Sequence, residues 1–200
     1  MKTFERIEKE TLYFSSCETC EAHCCDGERG ILYAQILLED FEKVYENFPI
    51  VFMYGELGYL KPVILLTNGK EFCRYLENNL CTIYEKRPST CRNYPLSAHL
   101  DNSIYVDKNC PAITNEGTII VKNGKINKEF NNYSFSDYQI RYINTHFCFH
   151  EINNSDNLTK AITLNGIDFY KFVKDFDDKY VNMHLESLKN IDKYYLKAIK

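Results

Sequence analysis

The sequence predicts an α+β fold. Residues 1–115 are expected to form a small cysteine-cluster metal domain with short strands and helices. Residues 116–200 are expected to form a hairpin and a helical C-terminal part that packs on this domain. Eight of the nine cysteines lie at or before Cys110, among short apolar runs separated by turn residues. After Cys110 the chain is rich in Asn, Asp, Lys, Ile and Tyr and holds one more cysteine. Its 44% hydrophobic content is enough for a packed core in 200 residues.

Apolar periodicity and turn residues define the individual elements. Asn68-Gly69 predicts a tight turn that returns Glu71–Cys73 along the preceding strand. Pro88 can begin a short helix and Pro95 end it. The predicted elements in chain order are a helix over Thr3–Ser16, a strand over Ile31–Ala34, a helix over Glu39–Phe48, strands over Val51–Tyr54 and Tyr59–Thr67, a short helix between Pro88 and Pro95, a strand over Ser103–Asp107, a hairpin over Thr118–Phe130, a helix behind Ser136, and helices over Ile167–Val173 and Asp177–Ile199.

The chain is organised around the run Cys17-Glu18-Thr19-Cys20-Glu21-Ala22-His23-Cys24-Cys25. If this run were helical, Cys17, Cys20 and Cys24 would share one face, and Cys25 would point away by roughly a quarter turn. Three of the four thiols could then reach one centre, and the fourth would need a bend or a second centre.

Clustered cysteines of this kind predict a site for zinc or for an iron–sulfur cluster, because thiolate is the soft ligand that both prefer. The charged N-terminus, Met1–Arg6, is followed by no apolar stretch, so it predicts no signal peptide and a cytoplasmic location. In that reducing compartment, thiols bind metal more often than they form disulfides, and the odd number of nine also argues against a closed disulfide framework. The predicted metal ligands are Cys17, Cys20, Cys24, Cys25, Cys73, Cys81, Cys91 and Cys110.

Several of these residues have a structural alternative. Cys73 and Cys81 could be small buried apolar residues, as free cysteines often are. Cys148 lies between Phe147 and Phe149 in an apolar helical pattern, so we expect it to be a packing residue. Eight thiolates exceed one tetrahedral site, which leaves open two sites or one site with spare thiols.

Histidines in the first cysteine run and in the second half of the chain are further candidate ligands. His23 lies inside the first cysteine run and could add to the ligands, although cysteine supplies the clearer pattern. His146 and His150 are four residues apart, a spacing that can bind one ion on a helix. They lack the accompanying carboxylate motif of a zinc protease, so an ordinary helix face is expected there.

Positive charge close to so many thiolates is needed in a chain whose net charge is −4. Arg87 and Arg92, next to Cys91 in sequence, and Arg74, next to Cys73, could supply it and hydrogen-bond to cluster sulfurs. We therefore expect Arg87 and Arg92 to be cofactor-binding residues; the alternative is surface ion pairs with Glu85 or Asp107.

Other function classes are disfavoured by what the sequence lacks. The negative charge and the absence of a long basic run argue against nucleic acid as a partner. The most apolar stretch, Ile50–Thr67, is interrupted by charges and Pro62, so no membrane partner is expected. No phosphate-binding glycine loop or G-x-S-x-G elbow is present. The acidic pair Glu39-Asp40 is expected to be a solvated helix face, and an unidentified protein partner remains open.

The cysteine pattern resembles the YkgJ-like cysteine-cluster family, described as a zinc- or iron-chelating domain. Over about residues 12–115 the resemblance is carried by Cys17-x2-Cys20-x3-Cys24-Cys25, Phe72-Cys73-x-Tyr75-Leu76, Cys81-x2-Tyr84-x2-Arg87-Pro88-x2-Cys91-Arg92-x-Tyr94-Pro95 and Cys110-Pro111. The resemblance implies metal binding. A related cysteine pattern occurs in flagellin lysine-N-methylase, regarded as an iron–sulfur protein, which is much longer than this chain.

Three functions are compatible with these residues. The first is a protein that holds an iron–sulfur cluster, of the [4Fe–4S] type, or zinc, and works in electron transfer or in the modification of another protein. The second is a non-enzymatic module stapled by zinc, or a metal handler. The third is a lysine N-methylase-like iron–sulfur enzyme. The sequence leaves open whether the protein is an enzyme.

Overall fold

The computed structural model describes residues 2–17, 20–55, 58–128, 130, 135–150, 152 and 155–194. Its α+β composition confirms the predicted fold class. The described strands are β1 Phe4–Arg6, β2 Leu12–Phe14, β3 Tyr33–Gln35, β4 Ile50–Tyr54, β5 Leu60–Leu65, β6 Leu76–Glu77, β7 Leu80–Cys81, β8 Leu96–Ala98, β9 Ile104–Asp107, β10 Ile113–Thr114, β11 Thr118–Lys122, β12 Lys125–Ile126, β13 Leu158–Leu164 and β14 Ile167–Phe172. The described α-helices are α1 Phe41–Val44, α2 Ser89–Asn93, α3 Tyr138–His150 and α4 Lys179–Ser187.

Short 3-10 helices complete the described elements. They span His23–Cys25, Leu38–Asp40, Tyr84–Lys86, Ser155–Asn157 and Leu188–Tyr194. No described helix is both long and apolar enough to cross a membrane.

A five-stranded antiparallel sheet in the order β13-β14-β4-β5-β3 forms the centre of the fold. Side chains alternate between its two faces, and both faces are buried. On one face, Ile50 and Phe52 of β4 pack with Phe149 of α3 and Val181 of α4. On the other, Val51 and its neighbours pack with Tyr194 from the last 3-10 helix. The inner strands β4 and β5 are therefore largely apolar on both sides and form nearly continuous hydrophobic runs in the sequence.

His184 of α4 is fully buried against this sheet and is fixed in its neutral form. Its Nδ1 donates to the carbonyl of Ile50 at 2.7 Å, and its Nε2 accepts from the backbone N–H of Phe172 at 3.1 Å. Protonation would place a hydrogen on Nε2, facing another N–H. Burial lowers the pKa of His184 to about 4.

Acid is therefore expected to destabilise the fold through His184. Because the folded-state pKa lies below the unfolded value of about 6.5, the unfolded state takes up the proton first. The stability that the neutral ring provides is lost as pH falls from about 6.5 to about 4, and the loss amounts to about 3 kcal/mol.

Urea unfolding at pH 7 and pH 4.5 measures this effect. The wild-type free energy of unfolding should fall more between the two pH values than that of His184→Gln, which keeps polar atoms but does not titrate. An equal fall in both proteins would contradict the assignment.

Two smaller sheets lie beside the central one, in the orders β1-β9-β8 and β10-β2-β11-β12. They share a second core in which Ile7, Leu96, Val106, Ile120 and Val121 are buried. Strands from both sides of residue 115 pair within these sheets and within the central one. The division at that residue stays a prediction.

Most predicted elements of the first half are confirmed. The strands expected near residues 31–34, 51–54, 59–67 and 103–107 correspond to β3, β4, β5 and β9, and the predicted hairpin at Asn123-Gly124 joins β11 and β12. The helix between the two prolines is α2, and the helix behind Ser136 is α3. The helix predicted at Glu39–Phe48 begins as a 3-10 helix and continues as α1.

Two helix predictions are wrong. Thr3–Ser16 forms β1 and β2, because the apolar residues of this short segment suit a strand as well as a helix and pair with β9 and β11. Ile167–Val173 contains strand β14, paired with β13 and β4. Its apolar residues lie on both faces of the central sheet, which removes the alternation that identifies a strand. The helix predicted from Asp177 is α4 and the 3-10 helix after it, as far as Tyr194; its remainder lies outside the described residues.

Candidate metal centre

Two stretches that are almost fifty residues apart in sequence are joined backbone to backbone at the cysteines. The N–H of Cys73 donates to the carbonyl of Cys25 at 2.7 Å, Asp26 and Phe72 form an antiparallel bridge, and the N–H of Gly27 donates to the carbonyl of Glu71 at 3.1 Å. The prediction that Glu71–Cys73 returns along β5 is therefore wrong. This segment pairs with the first cysteine run instead, and the pairing places Cys73 beside Cys25.

Gly27 makes this close pairing sterically feasible. A Cβ atom at residue 27 would lie 2.5 Å from the Glu71 carbonyl oxygen and 2.9 Å from the backbone nitrogen of Lys70. Both atoms belong to the backbone, so neither can move aside as a side chain would. A residue without a side chain is required where the two segments meet.

The first cysteine run is not a continuous helix over its described residues. Ala22 adopts a left-handed conformation, with φ of 54°, and only His23–Cys25 form a single 3-10 turn. The common helix face expected for Cys17, Cys20 and Cys24 is therefore absent. The bend that a fourth ligand was expected to need lies at Ala22, and it brings the Cys25 sulfur toward Cys73.

Three sulfurs form the core of the cluster. The Cys25 Sγ atom lies 3.8 Å from that of Cys24 and also within hydrogen-bonding reach of the Cys73 sulfur. Contact with Cys25 lowers the pKa values of the Cys24 and Cys73 thiols, and contact with Cys24 and Cys73 raises the pKa of Cys25. Cys24 and Cys73 are therefore the thiols of this trio that ionise most readily.

Cys91 reaches the cluster on helix α2, which is held at its start by a buried carboxylate. Asp40 is 2% exposed, and its Oδ1 accepts hydrogen bonds from the N–H of Ser89 at 3.0 Å and from the Ser89 hydroxyl at 2.6 Å. The expectation that Asp40 is solvated is wrong, because this long-range contact could not be seen in the local sequence. Burial raises the pKa of Cys91 to about 12, and nearby Cys73 and Cys24 add to that shift.

Cys81 ends the two-residue strand β7 and lies at the edge of the cluster. Burial raises the pKa of its thiol, while the N–H of Ile83 and the Arg87 guanidinium oppose that shift. Both groups stabilise a thiolate at this position.

Cys110 is buried beside a polar network that the sequence did not predict. Burial raises the pKa of its thiol, and hydrogen bonds from the N–H of Ala112 and the hydroxyl of Tyr94 oppose that shift. The Tyr94 hydroxyl also lies 3.0 Å from the carboxylate of Asp107, a residue that is 1% exposed. Lys2 stacks over the Tyr94 ring, with its Nζ 4.5 Å from the ring centroid.

All eight predicted ligands belong to one connected group of thiols. Cys24 lies close enough to six of the others for charge to act between their sulfurs: Cys17, Cys25, Cys73, Cys81, Cys91 and Cys110. Cys20 acts in the same way on Cys17 and Cys110. Cys148 lies on α3, where it packs against the central core, and burial raises the pKa of its thiol to about 11.

Three cations lie close to the sulfurs: Arg87, Lys2, and Arg74, which helps to lower the pKa of Cys73. Arg87, which stacks 3.4 Å above the ring of Tyr84, opposes the upward pKa shifts of Cys17 and Cys81. Lys2 lies near Cys24, Cys91 and Asp107; burial lowers its pKa and these groups counteract the shift. Lys2 was missed because only the pairing of β1 with β9 brings the N-terminus to the cysteines.

Arg92 is half-buried on the last turn of α2, one residue after Cys91. Its Nε atom is buried and has no hydrogen-bond partner among the described atoms. A buried donor without a partner is costly, so an acceptor at this position would stabilise the protein. An electron-rich sulfur is one such acceptor.

The donor set fits a soft metal. It consists of thiols, which zinc and iron–sulfur clusters prefer, with backbone N–H groups of Tyr75, Ile83 and Ala112 directed at three of the sulfurs. In a tetrahedral site with metal–sulfur bonds of about 2.3 Å, neighbouring sulfurs lie about 3.8 Å apart. That is the Cys24–Cys25 separation, which is also typical of a hydrogen bond between thiols.

The described cysteine side chains lie in one region but do not yet form a complete metal-binding site. Within the described ranges, no three His, Cys, Asp or Glu side chains already stand in a metal-binding arrangement. His23 bonds to Glu21 through its Nε2 at 3.0 Å, and His146 bonds through its Nδ1 to the carbonyl of Leu60 at 2.9 Å. Metal binding would therefore have to draw the sulfurs together, as expected where ligation and folding are coupled.

Comparison with known proteins agrees with this chemistry. A family model named CxxCxxCC, described as "Putative zinc- or iron-chelating domain", matches residues 16–111, a range that contains all eight clustered cysteines. No solved structure matches the chain. Residues 16–111 of the chain therefore match the cysteine-rich zinc- or iron-chelating domain that this family model describes.

Proposed function

We propose that the clustered thiolates hold an iron–sulfur cluster of the [4Fe–4S] type and that the protein serves in electron transfer or in the modification of another protein. The observation that carries the proposal is one connected group of eight thiols with backbone N–H donors directed at three of the sulfurs and cations beside them, because such donors and charges tune an iron–sulfur cluster. When bound, such a cluster supplies one-electron exchange.

The residues around the sulfurs have definite tasks in this proposal. Backbone N–H groups donate hydrogen bonds to sulfur, the Tyr94 hydroxyl lies beside the Cys110 sulfur, and Arg87 and Lys2 supply positive charge. Donors and cations of this kind favour the more reduced, more negatively charged state and so raise a reduction potential. The orphaned Nε of Arg92 is a further donor available to the centre.

A second candidate is a zinc-stapled binding module, or a protein that hands metal on. The 3.8 Å separation of the Cys24 and Cys25 sulfurs favours it, because two ligands of one tetrahedral zinc ion lie at that distance. The surrounding elements are also short, with β6 and β7 only two residues each, so cross-linking by a metal would stabilise this region considerably.

Metal analysis of protein purified without oxygen distinguishes the iron–sulfur protein from the zinc-stapled module. The first proposal predicts a brown preparation with about four iron and four acid-labile sulfide per cluster. A colourless preparation with stoichiometric zinc and no sulfide would overturn it in favour of the zinc module. Protein that is folded and equally stable with neither iron nor zinc bound would contradict both proposals.

A further inference from the structure

A second site lies away from the cysteines, between helix α3, the end of β8 and the residues Gly55, Tyr59 and Lys61 near the ends of β4 and β5. It is a cavity of about 660 Å³ whose described lining contains no cysteine. A volume in this range is typical of pockets for small organic molecules. The family resemblance concerns the cysteines and assigns nothing to this cavity.

Aromatic rings form much of its wall. Tyr59, Tyr142 and His146 lie in ring contact, with centroids 5.7 Å apart for Tyr59–His146 and 4.3 Å apart for Tyr142–His146. Tyr138 and Phe147 extend the same wall along α3. Tilted and edge-to-face rings of this kind offer both faces and edges to a flat ligand.

Lys61 is the charged residue among the described lining residues of the cavity. No Asp or Glu lies among them, although the chain carries an excess of acidic residues. Three histidines also line the cavity, and of these His146 is neutral at pH 7, because burial and nearby Lys61 lower its pKa. The lining also includes the hydroxyl-bearing residues Tyr138 and Tyr142. Burial raises the pKa values of both hydroxyls, to about 12 for Tyr138, so they stay protonated and can donate.

One side of the cavity is accessible. Phe147 is 68% exposed and Tyr59 is 51% exposed, and both line it. Large apolar side chains left in water in this way commonly mark binding sites. A ligand entering here would cover both rings.

We propose that this cavity binds a small organic anion with a flat aromatic body, whose carboxylate is held near Lys61 and whose ring packs on Phe147, Tyr59 and Tyr142. The aromatic wall recognises the ring, and Lys61, with no carboxylate among the described lining residues, recognises the anion. The same rings without Lys61 would suit an organic cation through their π faces, so the sign of the ligand's charge distinguishes the two interpretations.

Calorimetric titration of the metal-loaded protein with a matched pair of probes tests the proposal. The probes are 2-naphthoate and 2-naphthylmethylamine, which share a ring system and differ in charge. We expect naphthoate to bind with a Kd of about 1 mM or tighter, and at least about tenfold more tightly than the amine. Equal or tighter binding of the amine, or no binding of naphthoate at saturating concentration, would overturn the proposal.

Two variants with matched controls localise the binding. Lys61→Met keeps the aliphatic stem and should weaken naphthoate roughly fivefold, whereas Lys122→Met, at an exposed lysine outside the cavity, should not. Phe147→Ala should weaken both probes about threefold to tenfold. Ile140→Ala, 60% exposed on the same helix but outside the lining, should change neither. If the controls weaken binding as much as the cavity variants do, the probes bind elsewhere.

Discussion

Replacement of Cys91 by serine is expected to weaken metal binding by at least about 100-fold and to destabilise the protein in the same step. Cys91 lies among Cys24, Cys73 and Cys81, on a helix that the buried Asp40 carboxylate holds in place. A serine hydroxyl is a poor ligand for soft metals and stays protonated. A 100-fold weaker Kd removes up to about 2.7 kcal/mol of the stabilisation that bound metal provides.

Cys148→Ser is the matched control for this substitution. Cys148 is a half-buried thiol on α3 that packs against the central core, and we expect its replacement to leave the metal content unchanged. Metal content by elemental analysis and the urea midpoint with and without a chelator are the measurements. Full metal content in Cys91→Ser would mean that Cys91 is a spare thiol, and loss of metal in Cys148→Ser would mean that the centre extends to α3. Cys20→Ser is expected to behave like Cys91→Ser.

The substitution Gly27→Ala is expected to impair the centre without touching a ligand. Its Cβ would lie 2.5 Å from a backbone carbonyl oxygen, so the strand-like pairing of Asp26 with Phe72 must open. Overpacking of this kind costs about 1–3 kcal/mol. Because the pairing sets the approach of Cys25 to Cys73, metal affinity should also fall, by about 10–100-fold, as for residues that support ligands elsewhere.

Gly55→Ala provides the comparison for Gly27→Ala. A Cβ at residue 55 meets its nearest described neighbour at 3.6 Å, an ordinary contact, so stability and metal affinity should change little. Chelator competition followed by urea unfolding measures both quantities. Wild-type metal affinity in Gly27→Ala would show that the backbone pairing does not position the thiols.

Hairpins and short helices of this fold were predictable where a local signal was present. Asn123-Gly124 predicted the β11–β12 hairpin, and Pro88 with Pro95 bounded α2. The same signal was available at Asn165-Gly166, where both residues have positive φ between the paired strands β13 and β14, and recognising it would have prevented the helix prediction at Ile167–Val173. The apolar residues on both sides of that strand obscured it.

The sequence was sufficient to predict which cysteines lie in the site, but not how they are positioned. Cysteine spacing pointed to the eight thiols, and closeness to Cys91 in sequence pointed to Arg87; the structure places these residues in one group. Asp40 and Lys2 were missed because each reaches the site through a contact distant in sequence, Asp40 with Ser89 and Lys2 through the pairing of β1 with β9. The role of Gly27 could not be predicted from the sequence, because its close approach to Glu71 exists only once the two cysteine segments have met.

Cadmium substitution followed by NMR correlation of the metal nucleus with cysteine β protons tests the central claim most directly, because it identifies the thiols that share an ion. The account predicts that at least one cadmium resonance correlates both with a cysteine of Cys17–Cys25 and with one of Cys73, Cys81, Cys91 or Cys110. Cadmium resonances that each correlate with cysteines from only one of these two segments would contradict it.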